Sequence, residues 1–236
     1  MYVEVIEQRR VRNVEVVYWN RFVVMQELSG IRKEYTKSVL RREDLVANPI
    51  EQFKKWMKDA LDSGCHEPTA MNLATVNEMG FPASRIVLLK DTSDWGFTFF
   101  TNYESAKGQD MGKQPHVALN FFWPELERQV RIEGCIEKAT PEESDAYFQS
   151  RPRESRIGAW VSQQSSPIDD AVDLQQQYDE ITEKYANQLI PRPNHWGGYH
   201  VLPHRIEFWQ GRASRLHDRF QYNKDGNGWT ISRLAP

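Results

Sequence analysis

The sequence predicts a mainly β (α+β) fold: a six- or seven-stranded barrel with helices packed around it, in a single domain. Three observations lead there. Five short apolar or alternating runs lie close together between residues 71 and 136. Turn-forming residues separate them, and stretches with helical spacing of apolar residues flank them.

Each element follows in order. Residues 1–30 alternate only weakly and read as an N-terminal extension of unknown role, which leaves 31–236 as the domain. Asn48-Pro49 opens a helix, because asparagine can accept from a first-turn N–H and proline has no N–H to leave unpaired. Ile50, Phe53, Trp56, Met57, Ala60 and Leu61 then recur on one helical face, and Gly64 suits the stop. That face is core and needs no chemistry. Strands are predicted at 71–76, 84–89, 97–101, 117–123 and 129–136, with turns at 77–80 and 93–96. Pro141-Glu142-Glu143 opens a second helix running towards Ser150, and a long polar helix covers 169–186. Short strands at 199–201 and 205–209 and a closing one at 229–234 complete the chain.

Composition narrows the function. Hydrophobic residues make up 39% and include eight tryptophans, enough for a substantial core. A formal net charge of −3 argues against nucleic-acid binding, and no apolar run reaches the roughly 20 residues needed to span a membrane. The charged N-terminus is unlike a secretory signal; a cytoplasmic location is expected, with a mitochondrial one left open by its arginines. Two cysteines and six scattered histidines give no zinc-type spacing, so no metal is expected.

Polar groups collect in five places inside otherwise apolar segments. GRASRLHDRF holds Arg215, His217 and Arg219; if extended, all three share a face, with Leu216 in the core and Asp218 opposite, anchoring the strand. Arg85 and Lys90 bracket a buried-looking strand. At 101–107 a strand runs into a helix start, where N–H groups, hydroxyls and Lys107 suit a phosphate. Gln129 and Arg131 share a strand face, and SRPRES leads into a serine-rich stretch at 162–166. Each segment alone reads best as solvated cations or caps. Together they have the chemistry of phosphate: arginine, lysine, serine and threonine, without the acidic set that holds magnesium. No GxxxxGK[ST] or GxGxxG loop is present.

From about residue 32 to 236 the motifs RIVLLK, FFTNYES-K, ERQVRIEG, SRPRES-IGAWVS-QSS, WGGY, IEFWQG, RLHDR and RLAP together resemble the pyridoxine (pyridoxamine) 5′-phosphate oxidases. The resemblance implies a split β-barrel of the FMN-binding type, homodimeric, with FMN at the subunit interface. It also implies oxidation of pyridoxamine or pyridoxine 5′-phosphate to pyridoxal 5′-phosphate, with O2 as acceptor and H2O2 released. Carried over by motif, the cofactor site takes Arg85, Ile86, Val87, Leu88, Leu89 and Lys90, then Phe100, Thr101, Lys107 and Gln129. Gln164 and Ser165, expected from the partner's side, and Trp209 and Arg219 complete it. The substrate phosphate falls to Lys90, Tyr147, Arg151 and Ser155, and the pyridine ring to the catalytic pair Arg215 and His217. Arg32 and Tyr35 are implied as a lid. Three positions depart from the family pattern. Ala106 stands where a cation is common, Phe100 where tyrosine is, and Glu67 where aspartate is expected.

Overall fold

The computed structural model describes Leu28 and residues 30–236, and its contacts divide into two units, Met1–Thr36 and Lys37–Pro236. The fold and the site belong to the second. Nine strands form one antiparallel sheet. They are β1 Ala70–Val76, β2 Pro82–Leu88, β3 Asp91–Thr92, β4 Phe97–Asn102, β5 His116–Trp123, β6 Arg128–Lys138, β7 Trp196–Gln210, β8 Asp218–Asp225 and β9 Gly228–Leu234. The order is β2-β1-β5-β6-β7-β4-β3, with β8 also on β7 and β9 on β8.

The branching at β7 explains the curl. β6 pairs with β7 along its length, β4 takes residues 196–201 of β7, and β8 takes 205–210. Between the two halves sits Pro203, which has no N–H to give the ladder. The β6–β7 pairing steps from Glu133–Arg205 to Gly134–Pro203, passing over His204, so the proline is absorbed by a bulge. This corrects the expectation of two separate strands at 199–201 and 205–209. A Cβ on Gly134 would collide with the backbone carbonyl of Leu202. Gly134→Ala is therefore expected to cost about 2 kcal/mol of stability, the scale of an overpacked core. Chemical denaturation reads this directly; an unchanged midpoint would mean the bulge is soft.

One face of the sheet is core. Leu73, Leu119, Phe121, Val130, Ile132, Ile206, Phe208 and Tyr222 are buried there, as strand alternation dictates. Helix α1 (Pro49–Asp62) covers them. Asn48 caps it by accepting from the Ile50 N–H at 2.8 Å, and Gly64 ends it at φ 66°. Phe53 meets Phe97 and Phe121 with ring centroids 4.9 and 5.0 Å apart, and Trp56 meets Phe208 edge-on at 5.1 Å. Leu61 alone of the predicted face points out, 57% exposed.

The remaining helices are α2 Ala106–Lys113, α3 Pro141–Ser150, α4 Arg153–Val161 and α5 Leu174–Lys184. Thr140 and Glu143 form the capping box that starts α3. The helix expected over 169–186 is shorter, because Asp173 accepts from the N–H groups of Gln175 and Gln176 and fixes its start. The sheet exceeds the six or seven strands expected: β3 is only two residues long, and β8 was hidden behind the basic residues of RLHDRF.

That stretch is not extended throughout. Ala213–Arg215 is a 3-10 turn in which Ser214 and Arg215 have φ of 56° and 61°. The strand begins only at Asp218, so Arg215 does not share a strand face with Arg219, and Leu216 is 68% exposed rather than core. Asp218 does anchor the strand: it is buried and accepts from the Leu40 N–H, Arg212 and Arg233.

Candidate active site

A cleft of about 650 Å³ opens where β2, β4, α3 and α4 converge. β2 and its exit supply Ile86, Val87, Leu88 and Lys90, and β4 supplies Phe100 and Thr101. Lys107 enters from the first turn of α2, Tyr147 and Arg151 from the end of α3, and Ser155 from α4. Gln164 closes the set. Eleven predicted site residues, from six separate segments of the chain, thus line one cavity.

Lys107 is the strongest electrostatic feature. It is only 8% exposed, and its ammonium group donates to Thr101 at 3.3 Å, Ser105 at 3.1 Å and Gln164 at 2.9 Å. None of these carries a charge. Burial, with the Arg85 cation nearby, pulls its pKa down to about 8. Ser105 caps α2 by accepting from the Gly108 N–H, and Gly108 is required because a Cβ there would strike the Tyr103 carbonyl. A buried cation at a helix N-terminus, ringed by hydroxyl and amide groups, has the donor chemistry that suits a phosphate. Its Gln164 contact joins residues 57 apart in the same chain.

Arg151 is the second cation of the cleft, and it is half-buried. Its Nη1 is buried without a hydrogen-bond partner, and burial lowers its pKa. The guanidinium lies over the Trp196 ring, 4.6 Å from the centroid. Among the described residues no carboxylate pairs with it. An anionic ligand group would compensate this charge.

Other predicted residues lie elsewhere. Arg85 is not part of the cleft lining; it donates to Thr75 at 2.8 Å, with Asp110 3.8 Å away. Leu89 is buried in the core. Ser165, at φ 71°, is absent from the lining. Gln129, Trp209 and Arg219 form a row across three strands, since Gln129 pairs with Trp209 and Trp209 with Arg219. Arg219 donates through Nε to Glu207 at 2.7 Å. His217 packs on Trp209 at 4.6 Å, and its Nδ1 accepts from the Arg212 backbone N–H at 3.1 Å. A ring accepting at Nδ1 is neutral and carries its proton on Nε2. Burial and the Arg215 and Arg219 cations also lower its pKa. His217 is thus built to donate a hydrogen bond, with its Nδ1 already occupied. Arg32 and Tyr35 fall in the separate unit that ends at Thr36.

The cleft fits FMN by its donor set: the Lys107 cradle suits a phosphate, and the apolar Ile86, Val87 and Leu88 suit a flat ring. Family models agree. One described as pyridoxamine 5′-phosphate oxidase matches residues 57–185, and one described as the pyridoxine 5′-phosphate oxidase C-terminal dimerisation region matches 196–236. The chain belongs to the pyridoxamine 5′-phosphate oxidase family.

Relatives named pyridoxine/pyridoxamine 5′-phosphate oxidase resemble it throughout. The proteins from Haemophilus influenzae and Cytophaga hutchinsonii are each 53% identical, over 89% of this chain and 100% and 98% of theirs. The crystal structure of PhzG from Burkholderia lata, in complex with tetrahydrophenazine-1-carboxylic acid, superimposes with a TM-score of 0.80 at 29% identity. It covers 84% of this chain and 98% of that one. A pyridoxamine 5′-phosphate oxidase-related, FMN-binding protein from Nostoc punctiforme shares the fold at a TM-score of 0.65 and 16% identity, over 78% of this chain and 97% of that one. The sheet is the family's split β-barrel, and the protein is an FMN-dependent oxidase of this family.

Membership of the pyridoxamine 5′-phosphate oxidase family does not make every cleft residue legible. Trp196, Asn102 and Ser162 line the cleft without having been assigned to it. Asn102 ends β4 and Ser162 follows α4, positions that ordinary capping explains equally well. For Trp196 the signal was WGGY itself, an aromatic followed by two glycines that allow close approach.

Proposed function

We propose that the protein oxidises pyridoxamine 5′-phosphate and pyridoxine 5′-phosphate to pyridoxal 5′-phosphate, with O2 as final acceptor and H2O2 as co-product. The amine substrate also takes up water and releases ammonia, which balances the aldehyde oxygen. One observation carries the reading. Lys107, buried, and Arg151, half-buried with its Nη1 enclosed, are two cations of one cleft, held on different elements and without carboxylate partners among the described residues. A cleft built this way calls for two anionic groups, and FMN and a phosphorylated vitamer each bring one.

FMN, when bound, would supply the hydride acceptor. The side chains do the rest. Lys107 and Thr101 hold the cofactor phosphate, while Arg85 adds positive potential from behind the lining. Lys90, Tyr147, Arg151 and Ser155 hold the substrate phosphate as a remote handle that fixes the reacting carbon. Arg215 and His217 cover the pyridine ring, His217 donating from Nε2. Gln129, Trp209 and Arg219 face the cofactor's polar edge. These last five residues are absent from the cleft lining, yet four of them lie in the segment matched by the dimerisation model. A homodimer that brings this row of one subunit to the cleft of the other completes the site.

Peroxide release from the FMN-loaded protein on adding pyridoxamine 5′-phosphate tests the reading, and its absence would end it. The division of labour has its own test. Arg215→Ala is expected to lower kcat/KM about 100-fold or more and leave FMN affinity nearly unchanged, whereas Arg85→Ala does the reverse. Loss of flavin alone in both variants would reassign Arg215.

A further inference from the structure

We propose that Trp196 is a positioning residue for substrate, whose indole face sets the geometry of the phosphate-binding side chains Arg151 and Tyr147. The inference rests on the phosphate-handle reading of those two residues.

Trp196 opens β7 and is only 7% exposed, yet it lines the cleft. Three near-parallel rings meet there. Phe100 stacks on Tyr147 at 3.9 Å and 18°, and on Trp196 at 5.6 Å and 11°. Tyr147 and Trp196 lie 6.1 Å apart at 7°. The Arg151 guanidinium sits over the indole at 4.6 Å, and Phe148, on the same helix as Tyr147, meets the indole edge-on at 5.2 Å.

The indole is held in turn. Its backbone carbonyl accepts from Arg192 Nη1 at 2.7 Å. Gly198 lets Phe100 lie flat, because a Cβ there would come within 2.8 Å of the Phe100 ring. No hydrogen bond among the described residues orients the Arg151 side chain, and its Nη1 is buried unpaired. The aromatic rings, Trp196 above all, are therefore what aims the charge. A cation over an indole face is favourable even when desolvated, and it leaves the N–H fork open to a phosphate.

The test compares binding of pyridoxal 5′-phosphate and of pyridoxal to the FMN-loaded protein by isothermal titration, in wild type, Trp196→Leu, Trp196→Phe and Arg151→Ala. Trp196→Leu is expected to weaken the phosphorylated ligand about tenfold and to leave pyridoxal and FMN affinities within about twofold. Trp196→Phe, which keeps an aromatic face, recovers most of the loss. In the Arg151→Ala background Trp196→Leu weakens the phosphorylated ligand by no more than about twofold further, the part carried through Tyr147. Three results overturn the inference: unchanged discrimination in Trp196→Leu, losses that simply add to those of Arg151→Ala, or FMN and pyridoxal affinities falling in parallel. A wild type that binds both ligands equally would sink the phosphate-handle reading itself, and this inference with it.

Discussion

Replacing Lys107 with methionine is expected to weaken FMN binding about 10- to 100-fold, the worth of one charge-assisted hydrogen bond in a buried setting. The fold should not suffer. Lys107 is buried among neutral partners, and its pKa near 8 means that the folded chain resists carrying the charge. Methionine fills similar volume without that desolvation cost, so the apo variant should unfold no more readily at pH 7 than wild type. The pH dependence gives an internal control. Phosphate binding requires the ammonium form, so wild-type FMN affinity should fall as pH rises through about 8. In Lys107→Met that slope should vanish. Fluorescence titration of FMN at several pH values measures both effects. Unchanged affinity in the variant, or a flat wild-type profile, would remove Lys107 from the cradle. Ala106 sharpens the expectation: where relatives commonly have a second cation, this chain has an exposed methyl group, and Lys107 stands alone on the first turn of α2.

Arg151→Ala is the second large effect. The variant should raise KM for pyridoxamine 5′-phosphate about 100-fold, roughly 3 kcal/mol, with a smaller change in kcat and none in FMN affinity. The asymmetry follows from position. Arg151 lies over Trp196 at the end of α3, and Lys107 makes its contacts to Thr101, Ser105 and Gln164. Removing Arg151 also removes a half-buried charge whose Nη1 has no partner, so the apo variant should be about as stable as wild type. Steady-state kinetics beside an FMN titration settle the point. A KM within twofold of wild type would mean that another anion satisfies the guanidinium.

Much of this was readable in the sequence, for identifiable reasons. α1 was legible because its cap, proline, apolar face and terminal glycine all agree, and α3 because Thr140-Pro141 and Glu143 make a capping box. β1, β5 and β6 were legible because the core lies on one face, which forces alternation, and β4 because it is a short apolar run buried on both faces. α4 was not, since it buries only Ile157 and carries Gly158 in its interior, leaving almost no periodic signal. β7 read as two strands because Pro203 is a strand breaker in any local account; only the bulge opposite Gly134 shows how it is accommodated. The cleft residues were nameable from the resemblance, but not their company. No local pattern says that Gln164 will bond Lys107 across 57 residues, or that Trp196 will lie beneath Arg151. The geometry around Arg215 was also out of reach, because two consecutive non-glycine residues with positive φ are what no propensity predicts.

The most direct test of the two-anion cleft uses one enzyme preparation and two substrates. FMN-loaded protein is given pyridoxamine 5′-phosphate or pyridoxamine, and kcat/KM is measured for each by peroxide release. Arg151 and Lys90, joined by Ser155 and Tyr147, predict a preference of about a thousandfold for the phosphorylated amine. Equal values for the two amines would contradict the account.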